Sequence, residues 1–155
     1  MGGPRRIDPG ASPVAPSPPV QRAKKRVLFV CIGNSCRSQM AEGFARAYGA
    51  DVLTAASAGL SPALIVQPLT KYVLAARNVN IDRQFPKGME ILAREQFDLI
   101  VNMSGQELPL GPGANVREWP VRDPIGQSEA VYEAVAAQIE DLVMRLILEL
   151  RNANM

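Results

Sequence analysis

The chain has 155 residues, 47% apolar and 21% charged, with two cysteines and no histidine. That length suits one α/β domain with a self-sufficient core, and no apolar run approaches the roughly 20 residues of a membrane span, so a cytoplasmic globular protein without a membrane partner is expected. Without histidine, Ser–His and Cys–His catalytic pairs are excluded and a His/Cys zinc site nearly so, so no metal or cofactor is expected and any nucleophile must be activated by backbone or cations.

Residues 1–23 are rich in proline and lack hydrophobic periodicity, the composition of a disordered tail. Residues 24–155 are read as the single domain. Arg5, Arg6, Arg22, Lys24, Lys25 and Arg26 against Asp8 give residues 1–26 a charge of +5, so the formal total of +2 leaves −3 beyond. The basic character therefore belongs to a solvated leader, and no nucleic-acid partner is expected. Val27–Val30 is an apolar strand, and Arg37–Tyr48 reads as a helix with Met40, Phe44 and Tyr48 on one face and Gly49 closing it. A second strand is expected over Asp51–Ala58, ended by Gly59. Helices are expected from Pro68, suited to a first turn, to Arg77, and around Gly88–Glu95. Asp98–Asn102 is a third strand, followed by a long, mobile loop over Ser104–Asn115 with Gly or Pro at 109, 111, 112 and 113. Glu118–Val121 reads as a fourth strand, at an edge because it contains Pro120. Ser128 should cap a long helix to Arg151 that turns Val131, Val135, Ile139, Leu142, Leu146 and Leu150 inward. Strands alternating with helices predict a parallel sheet with helices on both faces, whose ligands sit beyond the carboxyl ends of the strands.

Cys31 stands at such an end. Between it and Arg37 lie Ile32, Gly33, Asn34, Ser35 and Cys36, with Gly33 expected to permit an unusual turn and a helix starting directly behind. A loop of this kind can curl until its amide N–H groups and the positive end of the helix dipole converge on one point, an anion site. Arg37 adds a planar fork able to grip two oxygens of a tetrahedral oxyanion. A thiol in that setting can fall from about 8.5 to roughly 3.5–7.5 in pKa, so the loop replaces the missing histidine. Ser38 can donate a hydrogen bond to the thiolate. Asp123, in the turn formed with Pro124 after the last strand, falls on the same side of the sheet and can protonate a leaving group. Cys36 is placed to capture oxidised Cys31 as a disulfide. Trp119 is assigned to packing beside its short strand rather than to the cleft.

"VLFVCIGNSCRSQMAEGFAR" (27–46), "SAG" (57–59), "NIDRQ" (80–84), "FDLIVNMS" (97–104) and the Asp-Pro at 123–124 together resemble the low-molecular-weight protein tyrosine phosphatase and arsenate reductase superfamily over about residues 26–150. The resemblance implies a phosphatase I-like fold with a four-stranded parallel sheet. It implies metal-free attack by Cys31 to give a thiol-bound intermediate, oxyanion binding by Arg37, and Asp123 as the acid that later activates water. It further implies that Asn34, Ser38 and Ser57 fix the loop, without the histidine that eukaryotic phosphatases of the family add.

The branch is divided. "GNSCRSQMAEG" is closest to the thioredoxin-coupled arsenate reductases, and phosphatases usually have proline where Gln39 stands. Those reductases, however, use two further cysteines in and after the loop of the third strand, where this chain has Met103 and Ser104. The sequence therefore favours a phosphatase acting on a phosphorylated protein or a small aryl phosphate. The alternatives are arsenate reduction with an external thiol donor, and an oxyanion-binding module without turnover. A phosphatase would lack the ring-stacking aromatic residues after the Asp-Pro, where Ile125-Gly126 stands.

Overall fold

The computed structural model describes residues 24–153. The expected tail over residues 1–23 lies outside them. β1 (Lys25–Cys31) carries five consecutive buried residues from Val27, as a strand covered on both faces must. It pairs in parallel with β2 (Leu53–Gly59) on one side and β3 (Leu99–Asn102) on the other, and β3 pairs with β4 (Val116–Glu118). The strand order is β2-β1-β3-β4. The chain thus leaves β1 first toward one edge and later returns to its other side, which opens a crevice between the carboxyl ends of β1 and β3.

The alternation of side chains along β1 builds two cores. Val27 and Phe29 point to a large one shared with α1 (Arg37–Tyr48), α2 (Pro68–Ala75) and α3 (Glu129–Ala153), whereas Leu28 and Val30 point to a small one. A 3₁₀ turn at Met89–Ala93 and the loop residues Leu108 and Leu110 cover the small core. Helical elements therefore cover both faces, unequally. Burying a side chain the size of Phe29 or Phe44 stabilises by about 1.5–3 kcal/mol, and both are fully buried in the large core.

Several boundaries move for identifiable reasons. The fourth strand occupies Val116–Glu118 instead of Glu118–Val121, because Pro120 has no N–H to give a ladder and pairing ends with Trp119 N–H to the Asn102 carbonyl, at 2.9 Å. The helix expected over 88–95 is a five-residue 3₁₀ turn, and α2 stops at Ala75. In α3 the buried stripe is Tyr132, Val135, Ala136, Ile139, Val143, Leu146 and Ile147, so the inward face is turned slightly from the expected one and Val131, Leu142 and Leu150 flank it. Ser128 does cap this helix: its Oγ accepts the Val131 N–H at 3.4 Å. Trp119 packs in the large core, its ring 5.9 Å from that of Phe29. The loop after β3 begins as a pinned turn, with the Ser104 N–H and hydroxyl both donating to Asn102 Oδ1.

Candidate active site

β1 delivers Cys31 to the crevice, and residues 32–36 turn the chain into α1, which starts at Arg37. The carbonyls of the loop all face outward. Those of Cys31, Ile32, Gly33 and Ser35 accept the N–H groups of Leu60, Ser61, Ala63 and Gln67 at 2.8–3.1 Å, and the Cys36 carbonyl accepts that of Met40 at 2.9 Å. The Thr70 hydroxyl adds a second bond to the Ser35 carbonyl at 3.0 Å. With the carbonyls tied outward, the N–H groups of 32–36 are left to the interior of the curl, where no acceptor among the described residues takes them. That is the polarity an oxyanion needs.

The left-handed residue in this turn is Asn34, at φ 50, and not Gly33. Asparagine tolerates that region when its side chain is held, and here it is held at every atom. Asn34 Oδ1 accepts the Lys87 N–H at 2.8 Å and Gln39 Nε2 at 3.0 Å, and Asn34 Nδ2 donates to Ser38 Oγ at 2.7 Å. Because Ser38 Oγ already accepts from Asn34, its own proton is free for Cys31 Sγ, 2.9 Å away. The chain Asn34, Ser38, Cys31 thus points a hydrogen-bond donor at the sulfur.

Arg37 is 5% exposed. Its Nη1 donates to the Met103 carbonyl, and to that of Val121 at 3.0 Å, so the ends of β3 and of the segment after β4 fix the guanidinium. Its Nε is buried with no partner. A buried N–H left unpaired costs about 1–3 kcal/mol, and an oxyanion seated in the loop is the group that would pair it. Asp123 Oδ2 lies 3.5 Å from Arg37 Nη2, with the Asp123 side chain 40% exposed. The Ile125 N–H donates to Asp123 Oδ1 at 3.1 Å, which holds the Asp-Pro turn. Cys31, Ile32, Gly33, Ser35, Cys36, Arg37 and Asp123 meet at one cleft of about 280 Å³. Asn34 and Ser38 stand behind it, fully buried.

Two of the expected residues have partners outside the loop. Ser57 gives its hydroxyl to the buried Glu42 carboxylate, one layer beneath the loop. Cys36 is free and buried, 3.6 Å from the Tyr132 hydroxyl, and burial pushes its thiol pKa up. Two further residues escape sequence reasoning. Gln39, 0% exposed, spans from the Asn34 carbonyl to the Phe85 carbonyl, each 3.0 Å from its Nε2, while Gln84 Nε2 donates to Gln39 Oε1 at 2.7 Å. Gly59 leaves room for the loop: a Cβ there would lie 2.7 Å from the Ile32 carbonyl oxygen and 2.8 Å from the Asn34 nitrogen. Only the glycine closing a strand beside the loop could have signalled it.

Known proteins resemble this chain over most of its length. A glutaredoxin arsenate reductase from Synechocystis sp. is 34% identical over 130 residues, 81% of this chain and 98% of the relative. The solved structure of an arsenate reductase in the phosphate binding state superposes with a TM-score of 0.74 at 33% identity, covering 81% of this chain and 98% of that one. The low molecular weight protein tyrosine phosphatase from T. tengcongensis matches with a TM-score of 0.69 at 26% identity, covering 82% and 100%. The family profile for low molecular weight phosphotyrosine protein phosphatase extends over residues 26–154, and the chain belongs to that family.

Proposed function

We propose that the protein reduces arsenate, with Cys31 as nucleophile and an external thiol as electron donor. The observation that carries the oxyanion chemistry is the unpaired Arg37 Nε beside the inward N–H groups of 32–36 and the Cys31 sulfur. The reductase branch is supported by the arsenate reductases among its relatives, and by Gln39 in the place where phosphatases of the family usually carry proline. This reverses the preference drawn from the sequence alone.

In the first step the Cys31 thiolate forms an S–As bond and one arsenate oxygen leaves as water, protonated by Asp123. Arg37 and the loop amides hold the remaining oxygens. A donor thiol then attacks Cys31 Sγ: an S–S bond forms, the S–As bond breaks, and its electron pair stays on arsenic, which leaves as arsenite. A second donor thiol reduces the mixed disulfide and frees Cys31, so two thiols become one disulfide per turnover. The electrons must come from outside, because Met103 and Ser104 stand at the end of β3 and a disulfide between Cys31 and Cys36, the only other described sulfhydryl, would itself need an external thiol to reduce it.

The test is arsenite production with glutathione plus glutaredoxin, with thioredoxin and with mycothiol as donors, in the parent and in Cys31→Ser. The proposal expects turnover with at least one donor and none in the variant. Arsenite formation surviving in Cys31→Ser, or absent with every donor, overturns it. A second reading, phosphomonoester hydrolysis, is favoured by the half-exposed Asp123 carboxylate at the mouth of the cleft. It predicts that Asp123→Asn slows esters with poor leaving groups far more than activated ones, and an equal loss across leaving groups counts against it.

A further inference from the structure

A second cleft, about 330 Å³, is larger than the one at Cys31 and shares no lining residue with it. It lies along the free edge of β2, between α1 and the segment from Arg83 to Lys87. Four cations line it, Arg26, Arg46, Arg83 and Lys87, against two carboxylates, Glu42 and Glu95. Two of the cations are propped on aromatic rings: Arg26 stands 5.4 Å from the centre of Phe97, and Lys87 Nζ 4.9 Å from that of Phe85. Arg26 pairs with Glu95. The buried Glu42 serves both Arg46, at 2.6 Å, and Lys87, at 3.9 Å, besides accepting from Ser57. Arg83 has no acceptor among the described residues, and Phe85 leaves 62% of its surface exposed. Burial lowers the Lys87 pKa, a cost that a bound anion would offset.

The wall of this cleft is also the support of the catalytic loop. Gln84, Phe85 and Lys87 line it, and the same three residues hold Gln39 and Asn34 through Gln84 Nε2, the Phe85 carbonyl and the Lys87 N–H, at 2.7, 3.0 and 2.8 Å. Asn34 in turn sets the Ser38 hydroxyl that faces Cys31 Sγ. We propose that this cleft binds a small organic polyanion carried on a planar body, and that its occupancy raises the reactivity of Cys31. The anion draws Arg83 and Lys87 together and lays its planar part on Phe85, and the ordered 84–87 segment holds Asn34 and Gln39 more firmly in the arrangement that presents Ser38 to the sulfur. The bound and free states differ in contacts at both ends of this chain, as coupling between two sites requires. The inference holds whether Cys31 reduces arsenate or hydrolyses phosphate.

The probe is benzene-1,3,5-tricarboxylate, planar and so unlike the tetrahedral anion the catalytic loop curls around, with benzene-1,3,5-trimethanol as its neutral counterpart. Titration of the full chain, followed by calorimetry and by backbone amide NMR shifts, should show one site with a dissociation constant at or below roughly millimolar and shifts centred on 54–56 and 83–87. Arg83→Glu and Arg83→Ala should weaken binding, the former about tenfold or more, while Arg145→Glu, the same charge change on the exposed face of α3, should not. Saturating probe should raise the iodoacetamide alkylation rate of Cys31, read at that residue by tandem mass spectrometry, by about fivefold. Equal binding of the neutral triol, shifts confined to 31–38, indifference to Arg83, or binding without change at Cys31 would each overturn the proposal. No turnover is measured, so its failure and the failure of the arsenate reading are separate results.

Discussion

Gly59→Ala places one methyl group where the catalytic loop passes closest to the sheet. The new Cβ would sit 2.7 Å from the Ile32 carbonyl oxygen, 2.8 Å from the Asn34 nitrogen and 2.9 Å from Asn34 Cβ. Real Cβ contacts of that kind begin several tenths of an ångström further out, and two of the three atoms are backbone, so no side chain can rotate away. Gly59 is outside the left-handed region, so alanine suits its local backbone and gains about 0.4–1 kcal/mol through the unfolded chain. Overpacking costs about 1–3 kcal/mol, and a net loss is expected. The larger effect should be on turnover, because the displaced atoms belong to the residue that orients Ser38, and a misplacement of about 1 Å can cost roughly 10²-fold in rate. Gly33→Ala is the matched control, since its Cβ would meet nothing closer than 3.4 Å. Urea midpoints and kcat/KM for both variants decide the matter. Gly59→Ala with parental kcat/KM, or Gly33→Ala as impaired as Gly59→Ala, would refute the close-approach argument.

Arg37→Lys should lower kcat by about 10²-fold or more in steady-state assays, because an ammonium cannot span the Met103 and Val121 carbonyls and still offer a second donor to the oxyanion. Retention of kcat would show that charge alone suffices. After peroxide, Cys36→Ser should lose activity irreversibly whereas the parent recovers with a thiol reductant, and intact-peptide mass spectrometry should find a Cys31–Cys36 disulfide only in the parent. Equal recovery would leave Cys36 a packing residue beside Tyr132. On the alkaline side, the raised folded-state pKa of Cys36 means that its contribution to stability is complete below the unfolded value, near 9.0, and is lost as pH rises through the folded one. Urea midpoints from pH 7 to 10 should therefore fall less steeply in Cys36→Ala than in the parent, and parallel slopes would contradict this.

Cys31, Arg37, Ser38 and Asp123 were legible in the sequence because strand, loop and helix follow one another without interruption and because an Asp-Pro after the last strand returns to the same end of a parallel sheet. The position of β4 was not, since Val116–Glu118 has three residues and a charge at its centre, while the more apolar stretch that follows contains a proline that cannot join a ladder. The turn residue was misread for a local reason: glycine is the default for a left-handed position, but Asn34 holds it through three side-chain hydrogen bonds whose partners lie as far away as Lys87. The sequence marked Gln39 only as standing where phosphatases of the family usually have proline, and its place as the most connected side chain behind the loop comes through Phe85 and Gln84, which no spacing rule ties to it. Ser57 was given to the loop by resemblance alone, and the structure hands its hydroxyl to Glu42.

The central place of β1 governs when a newly made chain can work. Val27 pairs with Ala55 on one side and with Leu99 on the other, and Arg37 takes its hold from Met103 and Val121. A growing chain that has emerged only as far as α1 carries both cysteines but lacks the partners at 60–70, at Lys87, at Met103 and at Val121 that hold the loop and Arg37 in place. Parallel pairings between distant residues close slowly, so the thiols spend the early life of each molecule outside their protective setting. Recovery of turnover during refolding should then track closure of the whole sheet rather than formation of α1, which makes Cys31 activity a reporter of the last global step. The same delay assigns the time before β3 docks as the interval in which an oxidant or a stray disulfide partner can divert the chain.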